Sequence, residues 1–95
     1  MPAHSAPVPA GCVLRADGSV LVRRHARPVE ISAPVAAAAL HWAAVSGDTP
    51  FEPHPCWSCG ARALYRTASR RVRSELVVET WACGGCGAVD HEPID

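Results

Sequence analysis

The sequence C-x-x-C-G occurs twice in this chain, and it constrains the fold more than any other feature. The four cysteines are Cys56, Cys59, Cys83 and Cys86. Two residues between paired cysteines allow one tight turn to direct both sulfurs at one ion, and a tetrahedral zinc ion takes four thiolates at about 2.3 Å. A glycine directly after each pair allows backbone angles that a side chain would obstruct. The spacing therefore predicts a zinc ribbon that holds one structural Zn²⁺.

A closed site of four thiolates excludes some functions. Because no coordination position stays open, the ion cannot activate water or polarise a carbonyl group. The four cysteines already complete the site, so His54 and His91 are not expected to be ligands. The sequence also contains no serine–histidine–acid set and no phosphate-binding glycine loop. We therefore expect a protein that is not an enzyme and has no small-molecule substrate.

The length of 95 residues suits one small domain with a modest core, which a bound metal ion would supplement. We predict a small α+β fold in which an N-terminal β-hairpin and one helix precede the four-cysteine zinc ribbon. The expected segments are a flexible tail at 1–10, a β-hairpin plus apolar helix at 11–47, a proline-rich linker at 48–55, the zinc ribbon at 56–90 and an acidic tail at 91–95.

The N-terminal hairpin is predicted from two short apolar runs at 12–15 and 19–24. Between them lies Asp17-Gly18, a pair that accepts the positive φ angles of a tight type I′ turn. Cys12, the fifth cysteine, is interpreted as a small apolar residue rather than a ligand.

A helix is predicted at about 33–46. Ser32 can cap its N-terminus, Pro34 is tolerated in its first turn, and Gly47 ends it. Because the helix is apolar around most of its circumference, it is either buried between the hairpin and the ribbon or exposed to a partner. The candidate interface residues are Val35, Leu40 and Trp42, and the partner would be another protein or a second copy of the chain.

Arginines dominate the segment between the two cysteine pairs. Residues 60–82 carry five arginines and two glutamates, although the whole chain has zero net charge. Two strands should pair antiparallel there, with a turn near Arg70 to Arg73. The candidate contact residues are Arg62, Arg66, Arg70, Arg71 and Arg73, with Arg23, Arg24 and Arg27 from an earlier basic run. These arginines could bind phosphates, pair with Glu75 and Glu79, or offset the negative charge of the thiolate site.

The compartment follows from the cysteines and from the N-terminus. The opening residues lack the basic start and apolar run of a secretory signal, and no stretch approaches the roughly 20 apolar residues of a membrane span. Five cysteines, four in metal spacing, suit a reducing compartment, although a secreted domain with two disulfides is the alternative. We expect a cytoplasmic protein without a membrane segment.

The segment at about 56–90 resembles two families. Its long interval between C-x-x-C pairs is similar to the zinc ribbon of transcript-cleavage elongation factors, whose hairpin tip enters RNA polymerase with an acidic pair. Here the corresponding tip reads R-R-V-R-S-E, with Glu75 its only acid. The sequence C-G-A-R-A-L-Y-R-T-A-S-R also resembles the Ogr/Delta phage late-transcription activators. Both resemblances imply a small zinc ribbon that contacts the transcription machinery or nucleic acid.

Two main functional hypotheses therefore remain, beside a third interpretation, a redox or zinc-carrying enzyme subunit, that rests only on Cys12 and the two cysteine pairs. The first is a zinc-ribbon accessory or regulatory protein that contacts DNA, RNA or RNA polymerase through its arginines. The second is a protein-interaction module, a homodimer or a small subunit of a larger assembly, that uses the apolar helix. Zero net charge favours the second over a freestanding nucleic-acid binder.

Overall fold

The computed structural model describes residues 8–93, except for the side chains of Leu76 and Pro93. Within them, one helix and two antiparallel sheets form a small α+β fold, as predicted. The elements are β1 (Cys12–Leu14), β2 (Val20–Val22), β3 (Val29–Ile31), α1 (Ala33–Ser46), β4 (His54–Pro55), β5 (Arg62–Val72), β6 (Glu75–Cys83) and β7 (Val89–Pro93). No helix in this part of the chain is long and apolar enough to cross a membrane.

The first sheet has the strand order β1-β2-β3 and corrects two details of the predicted hairpin. Leu14 pairs with Val20, so the connection is a five-residue loop instead of a two-residue type I′ turn. Only Gly18 of the predicted turn pair has a positive φ, and the Asp17 carboxylate instead accepts hydrogen bonds from the backbone and hydroxyl of Ser19. These local bonds stabilise a wider loop.

Strand β3 was not predicted. It pairs with β2 and follows the alternation of a half-buried strand, with Val29 and Ile31 buried and Glu30 exposed. Three residues are too few for this period to stand out in the sequence, which explains why it was missed.

Helix α1 begins and ends where the sequence predicts. Gly47 follows it in the left-handed conformation, with φ 77°, and donates its N–H to the carbonyl of Ala43 at 2.8 Å. Ser32 occupies the N-cap position, but its hydroxyl makes no capping hydrogen bond. Its backbone N–H donates to the carbonyl of Thr67 on β5 at 2.9 Å, which ties the start of the helix to the second sheet.

The main hydrophobic core corrects the predicted helix interface. Val35 is 4% exposed and Leu40 is 7% exposed, so both pack inside the molecule and offer no surface to a partner. Trp42 alone of the three candidates is exposed, at 63%. The helix is thus buried on one side, against β2, β3 and residues of the second sheet.

The same core corrects the expected linker at 48–55. Phe51 is buried in the core together with Tyr65 of β5, and Pro50 is buried beside it. Strand β4 then pairs with the start of β5. The segment is therefore anchored by apolar burial, and it joins the two sheets into one core.

The second sheet has the strand order β4-β5-β6-β7. The predicted hairpin is present as β5 and β6, but its two-residue turn is at Arg73-Ser74, where the φ angles are 53° and 70°. Arg70 and Arg71, which were expected in the turn, are instead strand residues that pair with Val78 and Leu76. The expected acidic tail is wrong up to residue 93, because Val89–Pro93 pairs with β6 as a further strand. Residues 94–95, like residues 1–7 of the predicted flexible tail, lie outside the described residues.

Candidate metal centre and arginine surface

The two cysteine pairs lie in turns with the same hydrogen-bond pattern. In the first, the N–H of Gly60 donates to the carbonyl of Cys56 at 2.8 Å, and the N–H of Cys56 donates to that of Ala61 at 2.8 Å. In the second, the corresponding bonds join Gly87 to Cys83 at 3.1 Å and Cys83 to Ala88 at 2.9 Å. The chain therefore builds one knuckle twice, as the repeated sequence predicts.

The glycine after each pair is required by this geometry. Gly60 has a φ of 76° and Gly87 a φ of 79°, in the left-handed region that L-residues with a side chain rarely adopt. The residue two positions after the first cysteine donates its N–H to that cysteine's sulfur, from Ser58 to Cys56 at 3.4 Å and from Gly85 to Cys83 at 3.3 Å. Such N–H groups stabilise thiolate charge.

The four sulfurs lie in the arrangement that a tetrahedral ion needs. All four are within 4.8 Å of one another. The Sγ atoms of Cys56 and Cys86 are 3.8 Å apart, and so are those of Cys59 and Cys83. Four ligands at about 2.3 Å from a central ion form a tetrahedron with edges of about 3.8 Å. The donor set therefore fits one tetrahedral metal ion.

The cysteine cluster lies at the protein surface, with two of its four cysteines buried and two exposed. Cys56 is 3% exposed and Cys83 is 2% exposed, whereas Cys59 and Cys86 are exposed. The N–H groups of Cys59 and Ser58 lower the pKa of the Cys56 thiol to about 7, which favours its metal-binding thiolate form. Although the hydrogen bond from the N–H of Ala61 acts to lower it, the pKa of the Cys59 thiol is raised to about 11, because desolvation and the neighbouring sulfurs together outweigh that bond. Cys12 is not part of the cluster, and partial burial raises the pKa of its thiol.

The basic run before β3 packs against the second knuckle. The N–H of Arg27 donates to the carbonyl of Gly84 at 2.7 Å. Its side chain lies over Gly87, because a methyl group built there would be 3.0 Å from Arg27 Cδ and 3.2 Å from Nε. Arg27 therefore brings positive charge close to the thiolates. The neighbouring His25 is held in place by a hydrogen bond of 2.6 Å between its Nε2 and the hydroxyl of Tyr65.

Three of the eight candidate contact arginines are used inside the fold. Arg24 donates to the carbonyls of Ala10 and Phe51, each at 3.1 Å. Arg62 donates to the carbonyl of Pro53 at 3.1 Å, and Arg66 forms a cross-strand ion pair with Glu79 at 2.8 Å. Their guanidinium groups hold loops and strands together.

The arginines of the hairpin tip have a different environment. Arg70, Arg71 and Arg73 are all exposed, and none forms an ion pair among residues 8–93. Arg71 donates only to the carbonyl of Ser74, at 3.4 Å. Arg23 is exposed as well, although it lies in the first sheet's loop region. Arg27 is also exposed, so outward-facing arginines lie both at the hairpin tip and in the basic run before β3, and three of them cluster at the tip.

Comparisons with known proteins identify no relative of this chain. No protein-family model matches this chain, and no curated protein or solved structure matches it either. The resemblances to the Ogr/Delta activators and to transcript-cleavage factors therefore have no support from these comparisons. The fold and the site define a small α+β protein with a cluster of four cysteines that fits one metal ion.

Proposed function

We propose that this protein is a zinc-ribbon accessory protein that contacts nucleic acid, alone or on RNA polymerase, through the tip of its β5–β6 hairpin. The observation that carries the proposal is the exposure of Arg70, Arg71 and Arg73 without a carboxylate partner in the described part of the chain. Guanidinium groups that are free of intramolecular pairs can bind phosphate, with release of counterions.

Zinc is the proposed ion, and its role is structural. Four thiolates in tetrahedral geometry select zinc or iron over the harder divalent cations. A closed set of four ligands leaves no position for a substrate, so the ion stabilises the two knuckles and the strands between them. Thiolates of this kind persist in a reducing compartment, which supports a cytoplasmic location.

Nucleic-acid binding is tested by fluorescence anisotropy with labelled single-stranded and double-stranded DNA and RNA at several salt concentrations. The wild type should bind more weakly as salt rises, and Arg70→Ala should lower the slope of log affinity against log salt by about one. The matched control is Arg15→Ala, which removes one arginine that is ion-paired with Glu30 in the first sheet. Equal binding by Arg70→Ala and the control, or no binding at low salt, would contradict the proposal.

A second candidate function is protein interaction through the exposed side of α1. Trp42 and Val45 are each 63% exposed, and no residue of the helix at 33–46 carries a formal charge. Exposed apolar side chains on an uncharged helix favour a protein partner or a second copy. Light scattering tests whether the partner is a second copy of the chain. If it is, the wild type should exceed the monomer mass and Trp42→Ser should not.

A further inference from the structure

An exposed cleft lies on the second sheet, next to the first knuckle and away from the arginine tip. It has a volume of about 290 Å³. We call it the aromatic–acidic cleft, and it is lined by His54, Pro55, Trp57, Leu64, Trp81, Asp90 and Glu92. None of these side chains binds the metal, and the nucleic-acid proposal uses none of them.

The register of β6 and β7 puts the acidic and aromatic side chains on one face. Trp81 pairs with Asp90, and Glu79 pairs with Glu92. Directly opposed residues of an antiparallel pair share a face, as do residues two apart on one strand. Asp90 and Glu92 therefore stand in a row beside Trp81, a juxtaposition that forms only because the chain returns to the sheet after the second knuckle.

Of the two tryptophans that line the cleft, one is open to solvent. Trp57 is 64% exposed at the turn of the first knuckle, whereas Leu64 is buried in the floor. His54 packs edge-on against Trp81, with ring centroids 5.2 Å apart. The indole nitrogen of Trp81 is buried and has no hydrogen-bond partner within the described residues. The cleft thus offers two indoles, one of them held in place and one free.

The charged residues of the cleft favour a positively charged ligand. Asp90 and Glu92 are exposed, and neither forms an ion pair among residues 8–93. The arginine opposite Trp81 on β5, Arg66, is already paired with Glu79 at 2.8 Å. Carboxylates repel phosphate, so nucleic acid is disfavoured here, whereas a cation gains from the carboxylates and from the indole faces together.

The position of the cleft indicates how such a cation would arrive. Strand β7 is the last strand of the order β4-β5-β6-β7, so its outer edge has no strand neighbour in the described part of the chain. An extended segment can pair with such an edge, and its alternate side chains then fall on the face that carries the cleft. A cleft this small accommodates one side chain, and the backbone contacts supply the remaining affinity.

We propose that the aromatic–acidic cleft binds an arginine or lysine side chain of an extended segment from a partner protein. The cation lies between the carboxylates of Asp90 and Glu92 and the exposed face of Trp57. This site is independent of the proposed nucleic-acid contact, because it lies on other residues and has the opposite charge.

The test uses the full-length, zinc-loaded protein and two short labelled peptides that alternate threonine with arginine or with citrulline, the neutral isostere of arginine. Fluorescence anisotropy should show binding of the arginine peptide and at least fivefold weaker binding of the citrulline peptide. Trp57→Ala and the double variant Asp90→Asn, Glu92→Gln should each weaken binding of the arginine peptide about fivefold or more.

The control is Asp48→Asn, which removes one exposed carboxylate outside the cleft and should leave binding unchanged. Because Trp57→Ala keeps the net charge, its effect separates a defined cleft from general electrostatic attraction. Zinc content and circular dichroism establish whether each variant is folded. The single variant Glu92→Gln is measured in place of any variant that is unfolded.

Three results would overturn the proposal. The first is equal binding of the arginine and citrulline peptides. The second is equal binding of the arginine peptide by the wild type and by Trp57→Ala. The third is Trp57-dependent binding of a single-stranded oligonucleotide or of a second copy of the chain in place of the peptide, which would assign the cleft to that occupant.

Discussion

Single residues near the metal centre show how closely two distant segments approach. Gly84, in the second knuckle, is buried beneath the basic run. A methyl group at this position would be 2.9 Å from the Cβ of His25 and 3.0 Å from the carbonyl oxygen of Arg27. The backbone of Arg27 cannot move aside without loss of the hydrogen bond between Arg27 and Gly84.

We therefore expect Gly84→Ala to destabilise the protein by about 1–3 kcal/mol, as overpacking typically does. The neighbouring Gly85→Ala is the matched control, because its added methyl group would meet nothing closer than the sulfur of Cys83 at 3.5 Å. Urea denaturation of both variants measures the difference. Equal midpoints for Gly84→Ala and the wild type would show that the basic run does not pack on this knuckle.

The cysteines differ in their predicted importance for metal binding. Cys83→Ser removes a buried ligand of the cluster, so the purified variant should lose the one bound zinc ion expected for the wild type. Cys12→Ser removes a half-buried thiol outside the cluster and should keep that ion. Metal analysis of reduced protein decides between these outcomes, and a wild type without zinc or iron would refute the metal centre.

At the scale of elements, helix α1 has two unequal sides. Its buried residues are Val35, Ala36, Leu40 and Ala43, whereas Trp42 and Val45 face outward. The helix is so uniformly apolar that hydrophobic periodicity cannot identify the buried side. The packing of β2, β3 and Tyr65 against one side makes that choice.

Substitutions on the two sides of α1 should differ sharply in their effect on stability. Leu40→Ala leaves a cavity in the core and should cost about 2–5 kcal/mol. Trp42→Ala removes an exposed side chain and should change the free energy of unfolding by less than about 0.5 kcal/mol. Thermal or urea unfolding of dilute protein measures both. A large loss for Trp42→Ala that disappears on dilution would instead reveal a self-associated helix.

The turn of the β5–β6 hairpin carries backbone strain. Arg73 and Ser74 both have positive φ angles, which cost non-glycine residues roughly 1–2 kcal/mol each in the left-handed helical region. Ser74→Gly should relieve part of this strain and raise the unfolding free energy, while it keeps every arginine of the tip. A lower melting temperature for this variant would contradict the turn geometry.

At the scale of the whole molecule, the metal centre and the hydrophobic core are coupled through β5. Tyr65 is part of the main core, and Ala63 and Leu64 pack with the buried cysteines Cys56 and Cys83. We therefore expect binding of one metal ion to stabilise both sheets together, by about 4 kcal/mol when free metal exceeds its dissociation constant a thousandfold.

Acidification should release the metal, because protons compete with the ion for the thiolates. In the metal-free site the pKa is about 7 for the Cys56 thiol and about 11 for the Cys59 thiol, so protons already compete at Cys59 at neutral pH and compete at Cys56 as well below it. We expect the apparent affinity for zinc to decrease steadily from about pH 8 to about pH 5. Competition with a chromophoric chelator measures it, and an affinity independent of pH would exclude thiolate ligands.

The sequence by itself determined the four cysteines, the left-handed glycines of both knuckles, the bounds of α1 and the existence of the β5–β6 hairpin. These features depend on residues that are close in the chain, where spacing and backbone preference act directly. The tertiary structure alone decided the rest. Burial of Val35, pairing of Arg66 with Glu79 and the approach of Asp90 to Trp81 join residues that are distant in sequence. Such contacts depend on how whole elements pack, and this packing separates the arginines that build the fold from those that remain exposed.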